Sequence, residues 1–269
     1  MTKLLDIKGL TKKFGPITAV DDVSFSVDRG EVLGFLGPNG AGKSTTMKIV
    51  TGFLAPTQGS VEVCGHDVAR EAMAVKRRIG YLPEGAPLYG DMTPMSLLNF
   101  VCKLRRLSAE DSKRGIEYVV EKLHISNVLY QPIETLSKGY KRRVGLAQAI
   151  VHDPDVLVLD EPTDGLDPNQ KHEVRELLTE MAGKKAVIIS THILEEVEAV
   201  CSRAIIIAKG KVVADQDPLS LQARSKLHNA VGIRLSAEHV QACKEVLNGM
   251  TQVSAVQTSV QVRDTVELL

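Results

Sequence analysis

Glu31-Val32-Leu33-Gly34-Phe35-Leu36-Gly37-Pro38-Asn39-Gly40-Ala41-Gly42-Lys43-Ser44-Thr45 is the stretch from which the fold follows. The apolar run Glu31–Leu36 predicts a buried strand, and a helical pattern resumes after Gly42. Between them, Gly37 to Ser44 fits the spacing GxxxxGKS/T. Glycines there let backbone N–H groups turn inward around phosphate oxygens, and the helix N-terminus adds a positive dipole end. Gly37, Pro38, Asn39, Gly40, Ala41 and Gly42 are thus read as a phosphate cradle. Lys43 reaches the β- and γ-phosphates, the Ser44 hydroxyl is placed to ligate Mg²⁺, and Thr45 opens the helix beside it.

Outward from this loop, short β-branched runs alternate with helical segments. Strands are predicted at Leu4–Leu10, Val20–Val27, Glu31–Leu36, Ser60–Val63, Arg78–Leu82, Asp155–Leu159, Ala186–Ser190, Ala204–Ala208 and Lys211–Ala214. Helices are expected after Gly42, Pro168 and Thr191. VLVLD, AVIIS and AIIIA are apolar on both faces, as strands covered by helices on each side must be. The pattern predicts an α/β fold with a mostly parallel core sheet. The first seventy residues, with turns at Asp28-Arg29-Gly30 and Pro56-Thr57-Gln58-Gly59, predict an antiparallel β subdomain beside it. Residues 94–150 are helical by period, broken near Ser108 and Ser126, and read as an inserted helical subdomain spanning about 88–152. Residues 226–269 read as a separate small α+β appendage, strand–helix–strand, with Ser236 as a helix N-cap and half of a βαββαβ unit present.

Val156-Leu157-Val158-Leu159-Asp160-Glu161 brings a second piece of chemistry. Asp160 falls at the C-terminal edge of a buried strand, where α/β sheets place ligands. It can hold Mg²⁺, while Glu161, one residue on, orients and deprotonates an attacking water. A divalent cation offsets the repulsion of the two neighbouring carboxylates.

In this order, the motifs resemble those of the ATP-binding subunit of an ABC transporter, from about Leu4 to about Ser225. Leu136-Ser137-Lys138-Gly139-Tyr140 is similar to that family's LSGGQ signature and is followed by the basic, helical KRRVGLAQAIVHDP. Lys138 and Tyr140 depart from the pattern; Ser137 and Gly139 keep it. The resemblance implies a P-loop ATPase fold that binds ATP with Mg²⁺. It also implies a second copy of the chain whose Ser137 and Gly139 contact the γ-phosphate on the first copy's loop. By the same resemblance Asp167, in PTDGLD, bridges the two subunits. His192 contacts the γ-phosphate and helps position Glu161, and Phe14, in KKFG, stacks on the adenine. Glu84 stands where the family usually has Gln linking Mg²⁺ and water to the helical subdomain; a carboxylate there adds negative charge beside the metal.

The implied partners are integral-membrane permease subunits, docking near Glu84–Thr93 with Leu88, Tyr89 and Met92 exposed for the contact. The implied location is cytoplasmic, peripheral on the inner face of the membrane. LPEGAPLYGDMTP and LSKGYKRRVGLAQAI resemble the branch that serves small exporters.

Composition sets the bounds on this reading. The 269 residues carry 33 Lys+Arg against 33 Asp+Glu, a zero net charge that argues against binding nucleic acid chiefly through phosphates. The run KRR admits a solvated basic face or a nucleic-acid patch, but no aromatic stacking platform accompanies it. Four scattered cysteines form no CxxC motif and read as buried thiols. No stretch reaches 18 apolar residues, and the N-terminus is not a signal peptide. Three other readings share the phosphate-loop motif. A non-transport ABC ATPase acting on nucleic acid or ribosomes would carry tandem cassettes or a long inserted coiled coil. A catalytically silent ATP-binding regulator would not need Glu161 and His192. A small-molecule kinase would leave the LSKGY segment without a purpose.

Overall fold

The computed structural model describes residues 2–223, 233–251, 253, 256, 258–262 and 265–268. The chain divides into two compact units, Met1–Pro218 and Leu219–Leu269. The first opens with β1 (Lys3–Phe14), β2 (Ile17–Asp28), β3 (Val32–Leu36), α1 (Lys43–Val50), β4 (Gln58–Val63), β5 (His66–Asp67), α2 (Ala72–Arg78) and β6 (Ile79–Leu82). Three helices follow, α3 (Pro94–Leu104), α4 (Ala109–Lys122) and α5 (Lys138–Ile150). The unit then alternates through β7 (Val156–Asp160), α6 (Pro168–Ala182), β8 (Ala186–Thr191), α7 (Leu194–Val200), β9 (Arg203–Ala208) and β10 (Lys211–Gln216).

Two sheets result. One is antiparallel, in the order β2-β1-β4-β5; the other has the order β10-β9-β3-β8-β7-β6 and is parallel except for the β9–β10 pair. Every residue of β3, β7 and β8 is buried, which is why their sequences show no polar alternation. The sheets share one apolar core, joined where the Phe25 and Phe35 rings pack at 5.4 Å. With few aromatics, that core rests on Leu5, Ile7, Val158, Ile188 and Ile205, each contributing about 1.5–3 kcal/mol when fully buried.

The expected strands all appear, with ends displaced by a few residues. β5 and α2 were not foreseen, and Arg78 ends α2 rather than opening β6. Both elements are too short for a period to show. The turn expected at Pro56–Gly59 becomes strand by Gln58. Gly59 (φ 85°) crosses β1 so closely that a Cβ would lie 2.4 Å from the Gly9 carbonyl oxygen. Ser108 caps α4, accepting from the Asp111 amide at 3.0 Å, and Ser126 opens a 3-10 turn, as their break positions imply. The thiols are all free, but only Cys102 and Cys201 are buried; Cys64 and Cys243 are half-buried. Among the described residues no helix is long and apolar enough to cross a membrane.

α8 (Pro218–Ala223) begins at the boundary between the units. The second unit contains β11 (Ile233–Ser236), α9 (Val240–Asn248), β12 (Thr258–Val262) and β13 (Thr265–Leu268), an antiparallel sheet in the order β11-β13-β12. The domain boundary expected at 225–226 lies outside the described residues, as do parts of the expected strands at 231–235 and 253–262. Ser236 does not cap α9. It ends β11, a 3-10 turn intervenes, and His239 precedes the helix without a side-chain cap.

His152 ties the end of α5 to the start of β6. Its Nε2 lies 3.1 Å from the Ile79 carbonyl oxygen, which can only accept, so Nε2 carries the hydrogen. Burial, helped by nearby Arg105, pushes its pKa down to about 4. The unfolded chain takes up that proton near pH 6.5, so the contribution is intact above 6.5 and is lost as pH falls toward 4. The loss should reach at most about 2 kcal/mol by pH 5. Urea titrations at pH 7 and 5 should therefore show a smaller acid-induced loss for His152→Gln than for the parent.

Candidate functional site

The loop between β3 and α1 is shaped by two glycines. Gly42, with φ 110°, stands where a Cβ would lie 2.5 Å from the Ala19 carbonyl oxygen. At Gly37 a Cβ would lie 2.3 Å from the Ile207 carbonyl oxygen. The loop is thus pressed onto β2 and β9 while Pro38, Asn39 and Gly40 face outward. Lys43 is buried, and its ammonium donates to the carbonyls of Gly37 at 2.6 Å and Pro38 at 3.2 Å, spanning the curve of the loop.

Below the loop is a cleft of about 560 Å³ whose lining includes Ser44, Tyr81, Glu84 and Asp160. Three of the residues expected around Mg²⁺ are therefore brought together. Asp160 is 2% exposed, held at the end of β7. A hydroxyl and two carboxylates are hard oxygen donors of the kind Mg²⁺ takes, one or two carboxylates being enough when phosphates complete the shell. Among the described residues no three His, Cys, Asp or Glu side chains form a metal-holding group. Ser44, Glu84 and Asp160 fit a metal whose shell is completed by phosphate oxygens. Tyr81 shares the cleft, its buried hydroxyl without a partner. Its pKa is pushed up to about 12 by burial, then by Asp160 and Glu84.

Glu161 leaves the strand in the left-handed region, φ 50°, its amide donating to the Ser190 carbonyl at 2.8 Å. That turn delivers the carboxylate to the end of β8. There His192 Nδ1 lies 2.8 Å from Oε1, and the Thr191 hydroxyl lies 3.2 Å from Oε2. Since a carboxylate only accepts, Nδ1 carries the hydrogen. The pairing of Glu161 with His192 is present within one chain.

Ser137 and Gly139 are placed differently. Ser137 caps α5, accepting from the Tyr140 amide at 3.3 Å. Gly139 abuts α6: a Cβ there would lie 2.7 Å from Gln170 Oε1 and 3.6 Å from Leu166. Asp167 caps α6, accepting from the Gln170 amide at 2.9 Å. The signature-like segment and the segment ending at Asp167 therefore pack on each other. Among the described residues neither joins the lining of the cleft beneath Lys43. Phe14 sits at the end of β1, 47% exposed, with the Lys12 ammonium 5.1 Å above its ring; it is no part of that lining either. Of the expected docking residues, Tyr89 is exposed and packs edge-on against Phe100 at 6.1 Å, whereas Leu88 and Met92 are half-buried.

Two supports had no sequence signal strong enough to assign them. Arg142 is 5% exposed and donates to the carbonyls of Pro83, Asp160 and Glu161. Burial lowers its pKa, opposed by Asp164, Asp160, Glu161 and Glu84. Arg143 is also buried, paired with Glu173 at 3.2 Å. The KRR run is therefore largely internal, and a solvated basic face is excluded for both arginines. The other support is Glu196, on α7, buried against Thr163, Lys171 and Thr191.

With this geometry in view, the relatives of the chain can be compared. Residues 20–164, more than half of the chain, match the family described as ABC transporter. The uncharacterised ABC transporter ATP-binding protein YhcH of Bacillus subtilis is 38% identical over 219 residues, 81% of this chain and 71% of that protein. Nod factor export ATP-binding protein I of Ralstonia nicotianae is 36% identical over 221 residues, 82% of this chain and 69% of its own. A solved structure of an ATP-binding subunit of an ABC transporter superposes with a TM-score of 0.78 at 31% identity. The match covers 84% of this chain and 95% of the other. The phosphate-loop α/β fold and its relatives place the chain among nucleoside-triphosphate hydrolases. This chain belongs to the ABC transporter family, as an ATP-binding and ATP-hydrolysing subunit.

Replacing Arg142 by Met should leave three carbonyls around the cleft without their charged donor. A loss of about 2–4 kcal/mol is expected, read as a lower urea midpoint with an unchanged m-value.

Proposed function

We propose that the chain works as one of two copies that close head-to-tail on two ATP–Mg²⁺, and that closure and hydrolysis drive a separate membrane permease. The observation that carries this reading is the split arrangement of the site. Glu161 and His192 meet at 2.8 Å beside the phosphate loop, while Ser137 opens α5 on the side of Leu166 and Gln170. A serine hydroxyl at a helix N-terminus is an anion site. Without a phosphate of its own, it is completed by the nucleotide of a second copy.

The roles follow from placement. Lys43 and the backbone N–H groups of residues 39–45 neutralise the β- and γ-phosphates. Glu161 accepts the proton of the attacking water, with His192 holding its carboxylate. Asp160, Glu84 and the Ser44 hydroxyl would hold Mg²⁺, which would supply neutralisation of the phosphate charge. Phe14 offers the free face of its ring to the adenine, and Asp167 meets the second copy. Loss of the γ-phosphate removes the contacts joining the halves, which reopens the pair.

Transport follows from the family, and its export direction is favoured by the Nod factor export relative and by the LPEGAPLYGDMTP stretch. The exposed Tyr89–Phe100 pair gives the permease an apolar landing point beside Glu84. In this reading the chain lies in the cytoplasm, held to the inner face of the membrane by that permease. The intact Glu161–His192–Thr191 arrangement favours an active ATPase over a silent regulator.

Glu161→Gln should bind ATP as the parent does and sediment as a dimer with Mg²⁺-ATP, with turnover reduced at least about a hundredfold. A strictly monomeric Glu161→Gln protein at saturating ATP overturns the split-site reading. Glu84→Gln, which removes one charge beside the metal, should raise the Mg²⁺ concentration for half-maximal ATPase about fivefold or more. Turnover at saturating Mg²⁺ should rise.

A further inference from the structure

We infer that Glu196 is a positioning residue for hydrolysis, setting the orientation of Glu161 through the hydroxyl of Thr191 and answering to the segment that carries Thr163 and Lys171. The inference rests on the proposed role of Glu161 as the base.

The Thr191 hydroxyl stands between two carboxylates. Its oxygen is 3.2 Å from Glu161 Oε2 and 3.1 Å from Glu196 Oε2, and it accepts from the Ile193 amide at 3.2 Å. A hydroxyl has a single hydrogen, so it serves one carboxylate at a time. Donated to Glu161, it completes a two-sided hold, with His192 on the other oxygen. Donated to Glu196, it leaves Glu161 held by His192 alone.

The choice depends on how far Glu196 is satisfied elsewhere. Its Oε1 accepts from the Thr163 hydroxyl at 2.5 Å and the Lys171 ammonium at 3.0 Å. Glu196 is 7% exposed, and a buried carboxylate short of donors is costly. With Lys171 and Thr163 in place it is close to saturated, and the Thr191 hydrogen is released to Glu161. Both donors sit on the stretch that frames Asp167. Thr163 precedes it, and Lys171 lies in the first turn of α6, its amide donating to the Asp167 carbonyl at 2.9 Å. A displacement of this stretch on contact with a second copy moves both donors relative to Glu196. The movement is passed to Glu161 through Glu196 and the Thr191 hydroxyl. A structural salt bridge alone would account for Lys171 and Glu196; it would not account for the shared hydroxyl.

The test compares Glu196→Gln, Lys171→Met, their double variant, Thr191→Val and Thr191→Ser in ATPase turnover. Binding of a fluorescent ATP analogue and the melting temperature are measured alongside. Lys171→Met and Thr191→Val should each lower kcat about tenfold with nucleotide Kd within about twofold of the parent. Glu196→Gln, which no longer draws the Thr191 hydrogen as a carboxylate, should keep kcat within about twofold. The double variant should recover the turnover lost in Lys171→Met, because without the Glu196 carboxylate the Thr191 hydrogen stays with Glu161 whether or not Lys171 is present. Thr191→Ser, which restores the hydroxyl, should recover the turnover lost in Thr191→Val. Parental kcat in Lys171→Met, a double variant as slow as Lys171→Met, or a Thr191→Ser protein as slow as Thr191→Val overturns the inference. If Glu196→Gln does not fold, the Val and Ser pair at Thr191 decides. An inert Glu161→Gln beside a fully active Thr191→Val defeats this inference alone; an active Glu161→Gln defeats the functional reading beneath it.

Discussion

Across the β7–β8 ladder, Asp160 lies opposite Ser190, and the Glu161 amide donates to the Ser190 carbonyl one step beyond. The two parallel strands are buried throughout, so a shift of register would mismatch the packing of every side chain against the layers on both faces. Registration therefore fixes the ends of both strands relative to each other. Asp160 and Glu161 emerge from one, Thr191 and His192 from the other. The Glu161–His192 pair is thus assembled by the ladder itself, and the left-handed backbone at Glu161 turns its carboxylate sideways instead of continuing along the strand.

The rest of the site is fastened to this point. Arg142 reaches from α5 to the carbonyls of Asp160 and Glu161 and, on the other side, to that of Pro83, one residue before Glu84. A single guanidinium thereby links the helical segment, the residue preceding Glu84 and the end of β7. Its planar fork of donors suits three carbonyls that diverge, which an ammonium would not match. α5 approaches β6 closely because Gly80 has no side chain: a Cβ there would lie 2.1 Å from the Ala149 carbonyl oxygen. The position of Ser137 at the other end of α5 depends on the same packing.

Much of the fold was legible because its signals are local. Doubly apolar strands, the glycine loop and the helices capped by Ser108 and Asp167 depend on neighbouring residues, and they appear where the pattern placed them. β5, α2 and the crossing at Gly59 were not legible, since two or seven residues are too few for a period and a strand crossing joins residues about fifty positions apart. The chemistry-bearing residues at strand ends were legible for the same local reason, each following an apolar run. Arg142 was not: its sequence context is a basic run, which looks the same whether it faces water or the core.

The sequence by itself determined the phosphate loop, the strand-ended Asp160, Glu161 and His192, and the parallel α/β layering, all set by backbone preferences and apolar periodicity over a few residues. Tertiary structure alone decided that Arg142 is buried beneath the cleft, that Glu196 meets Thr191, Thr163 and Lys171, and that Gly139 packs against Gln170. Those contacts join segments brought together by burial of the core, and a charge finds its partners only after the strands and helices around it have been laid side by side.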